Sequence, residues 1–327
     1  MLVCWAHALL GVYPSDQGWW PTGWGKGGGF VGVQIFFVLS GFLITRILIN
    51  DLVTFGTIRF GHFFARRLRR LAPALLITCA GYVVYAIIWR PGESALGIVG
   101  TVIRAVTYTS NLDPLLEWLP DNHWLNHTWS LAVEEQFYLV WPGLLALSYR
   151  LHPRAPVIFV LLGAVAFVPL RAMSSSGTLA YELLRFDALL LGCASALLPD
   201  WRAGRGLQMV GLMVAGWYLI APPRWFGPWD FLICAAASLM ILHHALSTRW
   251  MASPFLVYFG RISYGLYLLH VLFLRPGLPP WLALAFSIGL AHLSYFYFEQ
   301  RFLTPDVSPD PNATSVSPVR PVEQHPG

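Results

Sequence analysis

The amino-acid sequence predicts an all-α polytopic integral membrane protein, a bundle of about ten transmembrane helices. Hydrophobic residues make up 56% of the 327 residues, and charged residues make up only 11%. Because a soluble domain carries about 25% charged residues, a water-soluble fold is excluded. The apolar residues also form long runs separated by short basic stretches, which is the pattern of a membrane protein.

The apolar runs give the predicted helices. A helix needs about 20 apolar residues to cross about 30 Å of hydrocarbon. The predicted spans are 30–49, 71–89, 127–149, 155–171, 182–198, 207–222, 229–246, 256–274 and 281–299. A further apolar run, Met1 to Tyr13, rises only about 20 Å as a helix. We therefore expect a first helix that is truncated in the sequence as given.

Basic residues orient the predicted bundle. Arginines crowd the stretch between the first two complete spans, at Arg46, Arg59, Arg66, Arg67, Arg69 and Arg70. Under the positive-inside rule this stretch is cytoplasmic. If the segment 97–112 crossed the membrane, the later loops would lie on the side opposite to the one that their charges indicate. We therefore expect this segment to be a membrane-associated or re-entrant piece buried in protein. Both termini are then cytoplasmic, in a multi-pass protein of the inner (plasma) membrane.

The sequence predicts one membrane domain and a tail. Residues 1–303 form the membrane-embedded domain, and 304–327, rich in Pro, Ser, Val and Asp, form a disordered cytoplasmic tail. The formal charge of +5 follows from the orientation signals, so no nucleic-acid partner is predicted. The four cysteines lie in apolar runs without a CxxC pair, so no metal site is predicted either.

An arginine cluster is the first candidate site. Residues 63–75 read FFARRLRRLAPAL, and the cluster has two interpretations of similar weight. The four arginines anchor the helix at the cytoplasmic face, or Arg67 and Arg70, one helical turn apart, clamp a phosphorylated ligand, since guanidinium groups match phosphate oxygens.

Two adjacent carboxylates are the second candidate site. Glu134 and Glu135 lie inside the apolar run HTWSLAVEEQFYLVWP, residues 127–142. An ionisable group in a membrane helix costs about 2.5 to 3.5 kcal/mol on insertion scales, so it indicates function. Neighbouring residues point about 100° apart on a helix, and we expect only one carboxylate to face the interior site. His127, Trp129 and Ser130 precede them at the outer end.

Five motifs together resemble the membrane-bound acyltransferase family 3, of the O-antigen acetylase type. In chain order they are GFVGVQIFFVLSGFLIT (29–45), RRLRRLAP (66–73), HTWSLAVEEQFYLVWP (127–142), LLRFDALLLGC (183–193) and FGRISYGLYLLH (259–270). The resemblance covers nearly the whole chain. It implies a ten-helix enzyme that moves an acyl group, usually acetyl, from cytoplasmic acyl-CoA to a hydroxyl of an extracytoplasmic carbohydrate, glycolipid or related acceptor.

The resemblance assigns roles to residues of this chain. It implies that the RxxR pair Arg67 and Arg70 serves the acyl-CoA, with Arg66 and Arg69 as the shifted alternative. His7, in the first apolar run, matches the family's key histidine. We interpret it as the general base that takes the proton from the acceptor hydroxyl.

The family also places an arginine upstream of this histidine, at a position that here would precede Met1. Either translation begins upstream, or the chain is a truncated and inactive copy. The short first run favours the upstream start.

Other polar residues are candidates for the acceptor side. Arg185 and Asp187 form a structural ion pair or line the acceptor site, and His270 makes a structural hydrogen bond or contacts the acceptor. Glu134 or Glu135 orients or polarises the reacting groups. Thioester transfer needs neither a metal nor a bound cofactor, because thiolate is a good leaving group and acyl-CoA is a substrate.

Two other classes of function remain open. A transporter or flippase would move an acyl donor or a lipid-linked sugar without chemistry, and an inactive family member would be a structural membrane protein. Within the enzyme hypothesis, the membrane domain acylates the acceptor directly or works with a separate periplasmic transferase.

Overall fold

The computed structural model describes residues 27–112, 115–174, 185–220, 229–249, 252–274 and 278–303. Within these ranges every regular element is a helix. The predicted all-α class is therefore confirmed. The first apolar run and the predicted tail lie outside the described residues.

The helices are numbered along the chain. The first half contains α1 (Gly27–Phe55), α2 (Phe60–Trp89), α3 (Ala95–Val106), a 3₁₀ turn (Asn126–Thr128), α4 (Trp129–Leu151) and α5 (Ala155–Ala172). The second half contains α6 (Asp187–Leu197), α7 (Arg205–Ile220), α8 (Trp229–Ser247), α9 (Pro254–Leu269), α10 (Val271–Leu274), α11 (Pro280–Leu293), a π-helical segment (Ser294–Glu299) and α12 (Gln300–Leu303). Each predicted span from residue 30 onward overlaps one of these helices.

Five helical stretches of the described ranges are long and apolar enough to cross a bilayer. They are α1, α2, α5, α8 and the continuous stretch Trp281–Leu303. The other predicted spans are shorter or, in α4, interrupted by acidic residues. Large apolar side chains such as Ile87, Leu162 and Met213 are about two-thirds exposed, as lipid-facing residues are in a membrane bundle.

Helix α2 begins well before its predicted span, at Phe60 instead of residue 71. The arginine-rich stretch is therefore the first turns of a 30-residue helix and not a loop. Apolar residues on either side of the arginines explain the difference, because Phe63 and Leu71 are buried and give this stretch a core-facing side.

Helix α3 corresponds to the predicted half-crossing segment 97–112. Its 12 residues rise only about 18 Å. The following loop folds back on it, since Arg104 donates hydrogen bonds to the carbonyl oxygens of Leu116 (2.6 Å) and Leu119 (2.8 Å). The protein itself therefore satisfies two backbone carbonyl groups of this loop, and the absence of a membrane crossing at this segment stays a prediction.

The hydrophobic core has two main clusters. One joins α1, the first turn of α2, α4, α5, α6 and α8, and the other joins the rest of α2, α3, the end of the loop before α4, α4 and α9. Helices α2 and α4 contribute to both clusters, α4 through Val133 in the first and Leu131 in the second. Glu134 and Glu135 therefore lie on one of the two helices that connect the clusters.

Helices α1 and α6 are in backbone contact at two glycines. A Cβ at Gly41 would lie 2.0 Å from the carbonyl oxygen of Leu189, and one at Gly192 would lie 2.1 Å from that of Val38. No side chain fits at either distance. The small-residue patch of α1 thus allows close helix approach, as its sequence indicates.

Replacing Gly41 by alanine is expected to destabilise the bundle by about 1–3 kcal/mol or more, because the added methyl group forces two backbones apart. Thermal unfolding of the purified protein in detergent measures the effect. Gly143→Ala on α4 is the matched control, since a Cβ there has no neighbour within 4 Å. Equal unfolding midpoints for both variants would contradict the packing described here.

Candidate functional site

Arg67 of α2 binds both carboxylates of α4. Its Nε and Nη2 each lie 2.6 Å from Oε1 of Glu135, and its Nη2 lies 3.2 Å from Oε1 of Glu134. The guanidinium group also stacks on the ring of Tyr138, with Cζ 3.7 Å from the ring centroid. The three side chains are mostly buried, with 16%, 5% and 15% exposure for Arg67, Glu134 and Glu135.

Glu134 has the more complete set of donors. Ser40 of α1 donates to its Oε1 at 2.5 Å, and Tyr138, one turn further along α4, donates to the same oxygen at 2.7 Å. Together with Arg67, these residues bring α1, α2 and α4 to one point. Buried charges need such partners, so the cluster is consistent with the apolar helices that surround it.

Both carboxylates contact Arg67, but only one of them lines a cavity. Glu134 and Glu135 do leave α4 in different directions, but the long Arg67 side chain lies between them and contacts both. Glu135 is the one beside open space. It lines a cavity of about 260 Å³ together with Arg67, Tyr108 and the apolar residues Phe64, Leu68 and Leu71.

The predicted RxxR pair is divided between two environments. Arg67 is held by carboxylates, whereas Arg66, Arg69 and Arg70 are exposed. Arg70 lines a second cavity, of about 370 Å³, between α2, α9 and the last helical stretch. A phosphorylated ligand would therefore meet Arg70 without breaking an ion pair, while Arg67 is already neutralised.

A second polar cluster connects α4 and α9 beyond the carboxylates. Ser130 and Tyr267 share a hydrogen bond of 2.7 Å between their hydroxyl oxygens, and the Tyr267 hydroxyl also donates to the backbone oxygen of His127. The rings of His127 and His270 pack edge to face, with their centroids 5.3 Å apart. The Nδ1 atom of His270 also lies 2.6 Å from the carbonyl oxygen of Tyr267. The structure therefore brings the predicted acceptor-side residues His127, Ser130 and His270 together.

Arg185 and Asp187 each have a partner on another helix. Asp187 accepts a hydrogen bond of 2.8 Å from Arg171 of α5, and both side chains are fully buried. The Arg185 guanidinium stacks over Trp129, 4.5 Å from the ring centroid. Asp187 therefore has an ion-pair partner that sequence analysis did not identify, because Arg171 follows a long apolar run and resembles a helix-end anchor.

Hydrogen bonds to acidic side chains hold the loop before α4 in place. Glu93 accepts hydrogen bonds from Asn122 (2.9 Å) and Trp124 (3.1 Å). Burial alone would raise the pKa of Asp121, but hydrogen bonds from His123 and Thr101 outweigh it and leave the pKa below the ordinary value. These contacts fix the loop that leads into His127 and Trp129.

Several residues of the two clusters were not predicted from the sequence. They are two tyrosines and a serine on apolar helix faces, Ser40, Tyr138 and Tyr267. Spacing is the signal that identifies the tyrosines, because Tyr138 follows Glu134 by four residues and Tyr267 precedes His270 by three, so each pair shares a helix face.

The predicted general base, His7, lies outside the described residues. Among the residues that the structure describes, no group of three or more His, Cys, Asp or Glu side chains has the arrangement of a metal site. Three cysteines, Cys79, Cys193 and Cys234, are buried free thiols, in agreement with their apolar sequence context.

Comparison with known proteins gives one family and several relatives. The family model described as "Acyltransferase domain" matches residues 1–298. "O-acetyltransferase OatA" of Staphylococcus aureus (strain NCTC 8325 / PS 47) is 30% identical over 303 residues, covering 81% of this chain and 48% of the relative. "Peptidoglycan O-acetyltransferase OatA" of Listeria monocytogenes is 36% identical over 190 residues, covering 53% of this chain and 30% of the relative. The chain thus spans at most about half the length of these two relatives, and no solved structure matches it.

Proposed function

The chain belongs to the acyltransferase family whose model covers residues 1–298, and on this premise we propose that it is a membrane O-acetyltransferase. It is a multi-pass membrane protein, and its donor is cytoplasmic acyl-CoA, in the first instance acetyl-CoA. Its acceptor is a hydroxyl of an extracytoplasmic carbohydrate or glycolipid. The observation that carries the proposal is the cluster of Arg67, Glu134 and Glu135 inside apolar helices, next to a cavity.

The orientation of the bundle supports this direction of transfer. The arginine-rich start of α2 lies on the cytoplasmic side under the positive-inside rule, which also puts both termini there. Arg70 and the exposed Arg66 and Arg69 then face the compartment that contains acyl-CoA. The cluster of His127, Ser130 and His270 lies further along the bundle, toward the acceptor.

The reaction is an acyl transfer between sulfur and oxygen. The acceptor oxygen attacks the thioester carbonyl carbon, His7 takes the hydroxyl proton, and the carbon–sulfur bond breaks to release CoA thiolate. Arg67, fixed by Glu134 and Glu135, lies beside the 260 Å³ cavity. Positioned N–H donors stabilise a developing oxyanion without reorganisation, so we assign this role to the N–H groups of Arg67 and the positioning of Arg67 to the two carboxylates.

The acceptor-side residues fall into two groups. His127, Trp129, Ser130 and His270 lie at the ends of α4 and α9, where an acceptor hydroxyl would approach the cluster. Asp187 is fully buried on Arg171, which supports a structural role, and Arg185 holds Trp129 in place. Because one relative is named a peptidoglycan O-acetyltransferase, a cell-wall glycan is the first acceptor to test, with transfer either direct or through a separate periplasmic transferase.

Acetyl transfer separates the enzyme from a transporter or flippase. Purified protein in lipid nanodiscs is incubated with radiolabelled acetyl-CoA and a glycan acceptor, and the label is followed from CoA to the acceptor. Label that never leaves CoA would contradict the proposal.

His7→Ala is expected to lower the rate of this transfer by about 10²–10⁴-fold, which is the contribution of a general base. CoA affinity should be unchanged, because His7 is assigned to the acceptor. His62→Ala is the control, since His62 is an exposed residue near the start of α2. Normal transfer by His7→Ala would remove His7 from the mechanism.

A further inference from the structure

The larger cavity has walls of mixed chemistry. It is about 370 Å³ in volume, within the range of small-molecule sites of about 300–1,000 Å³. Its walls come from α2, α9, the π-helical segment and α12, and are formed by Arg70, Val257, Gly260, Arg261, Tyr264, Tyr295, Glu299 and Leu303. Two guanidinium groups, one carboxylate and two aromatic rings therefore face one space.

The polar walls are held in place by contacts outside the cavity. The Glu299 carboxylate accepts a hydrogen bond of 2.6 Å from Ser294, and the Tyr264 hydroxyl donates to the Leu71 carbonyl at 3.1 Å. Tyr295 and Glu299 belong to the π-helical segment. Such segments are rare and occur frequently at functional sites, because the wider turn redirects side chains.

The cavity lies next to the proposed reaction site. Leu71 lines the smaller cavity beside Arg67 and Glu135, and Tyr264, which binds the Leu71 carbonyl, lines the larger one. Tyr108 of the smaller cavity and Tyr264 pack against the same core cluster. A ligand anchored in the larger cavity is therefore one residue layer away from the carboxylate cluster.

We propose that the larger cavity binds the phosphorylated nucleoside end of the acyl-CoA donor. Arg70 and Arg261 bind phosphate oxygens, as guanidinium groups do. Glu299 accepts a hydrogen bond from a ribose hydroxyl or a base amino group, and a tyrosine ring packs on the base. The inference rests on the proposed function, and it pairs Arg70 with Arg261, whereas the sequence pairs Arg70 with Arg67.

A phosphate of an anionic lipid headgroup presents the same kind of oxygen atoms to two arginines. The carboxylate and the aromatic walls favour a nucleoside, because a lipid phosphate uses neither. The experiment therefore varies the lipid and the ligand independently.

The test measures the binding of three ligands to the purified full chain in nanodiscs of phosphatidylcholine alone. The ligands are CoA, adenosine 3′,5′-bisphosphate and pantetheine, which are the whole donor scaffold and its two ends. Arg261→Ala is expected to weaken CoA and the bisphosphate by about 10–100-fold, as expected for the loss of a charge-assisted bidentate contact. Pantetheine affinity should stay within about twofold, which shows that the variant is folded.

Arg205→Ala is the matched control, because Arg205 is exposed at the start of α7 and does not line the cavity. It should change none of the three affinities. Unchanged bisphosphate affinity in Arg261→Ala, or no bisphosphate binding by the wild type, would overturn the inference.

Lipid exchange and acetyl transfer distinguish the remaining explanations. If Arg261→Ala changed only the binding of phosphatidylglycerol in mixed nanodiscs, the cavity would be a lipid site and the inference would be wrong. If the wild type bound the bisphosphate in an Arg261-dependent way but transferred no acetyl group, the nucleotide site would stand and the proposed function would fail.

Discussion

Replacing Arg67 by alanine is expected to abolish acetyl transfer and to destabilise the bundle by about 3–5 kcal/mol, the range for breaking a buried ion pair from one side. The variant leaves Glu134 and Glu135 side by side without a cation, and both are largely buried. It also removes the ring contact to Tyr138. Transfer from radiolabelled acetyl-CoA and thermal unfolding in detergent measure the two effects.

A second variant separates stability from catalysis. Arg67→Leu combined with Glu134→Gln and Glu135→Gln removes all three charges, so we expect unfolding near the wild-type temperature but no transfer. Arg66→Ala is the control at the neighbouring position, because Arg66 is exposed and its loss should affect neither property. Wild-type transfer by Arg67→Ala would show that the cluster is not part of the reaction.

Replacing Arg171 by alanine is expected to destabilise the protein by a similar amount, about 3–5 kcal/mol. The effect arises at contacts of α5 with α6 and α8, away from the Arg67 cluster. Asp187 is fully buried and binds Arg171 at 2.8 Å, so the variant leaves a carboxylate without its cation. The Arg171 guanidinium also stacks on Phe231 of α8, 4.2 Å from the ring centroid. One side chain therefore joins α5, α6 and α8.

Thermal unfolding again provides the measurement. The double variant Arg171→Met with Asp187→Leu should regain most of the lost stability, since apolar residues of similar volume replace buried ion pairs well. Arg154→Ala, at an exposed residue before α5, should unfold like the wild type. If Arg171→Ala also unfolded like the wild type, the pair would contribute nothing to the fold.

The fold was predictable because a bilayer allows few alternatives. Long apolar runs predict helices wherever they occur, and α5 and α8 follow their predicted spans to within one residue. The start of α2 was not predicted, because Arg66 to Arg70 resemble a loop when charge alone is considered. The buried side of that stretch, at Phe63 and Leu71, depends on packing between helices that are distant in sequence.

The candidate site was predictable in its charged residues and not in its contacts. Glu134 and Glu135 were identified because an acidic pair inside an apolar run needs a reason. That both bind Arg67 could not be derived, because the two segments are separated by more than sixty residues and a helical wheel gives no partner on another helix. That Arg261 and Glu299 line one cavity could not be derived for the same reason, since the sequence does not show that α9 packs next to the π-helical segment.

The glycine contacts between α1 and α6 limit where the protein can move. A slide of these helices by about 1 Å would drive the Leu189 carbonyl into Gly41, and such backbone contacts do not rearrange gradually. The contact between α4 and α9 is different, because Ser130 and Tyr267 meet through hydroxyl groups whose rotamers exchange partners at small cost. We therefore expect the contact between α4 and α9 to tolerate a small displacement better than the contact between α1 and α6 does.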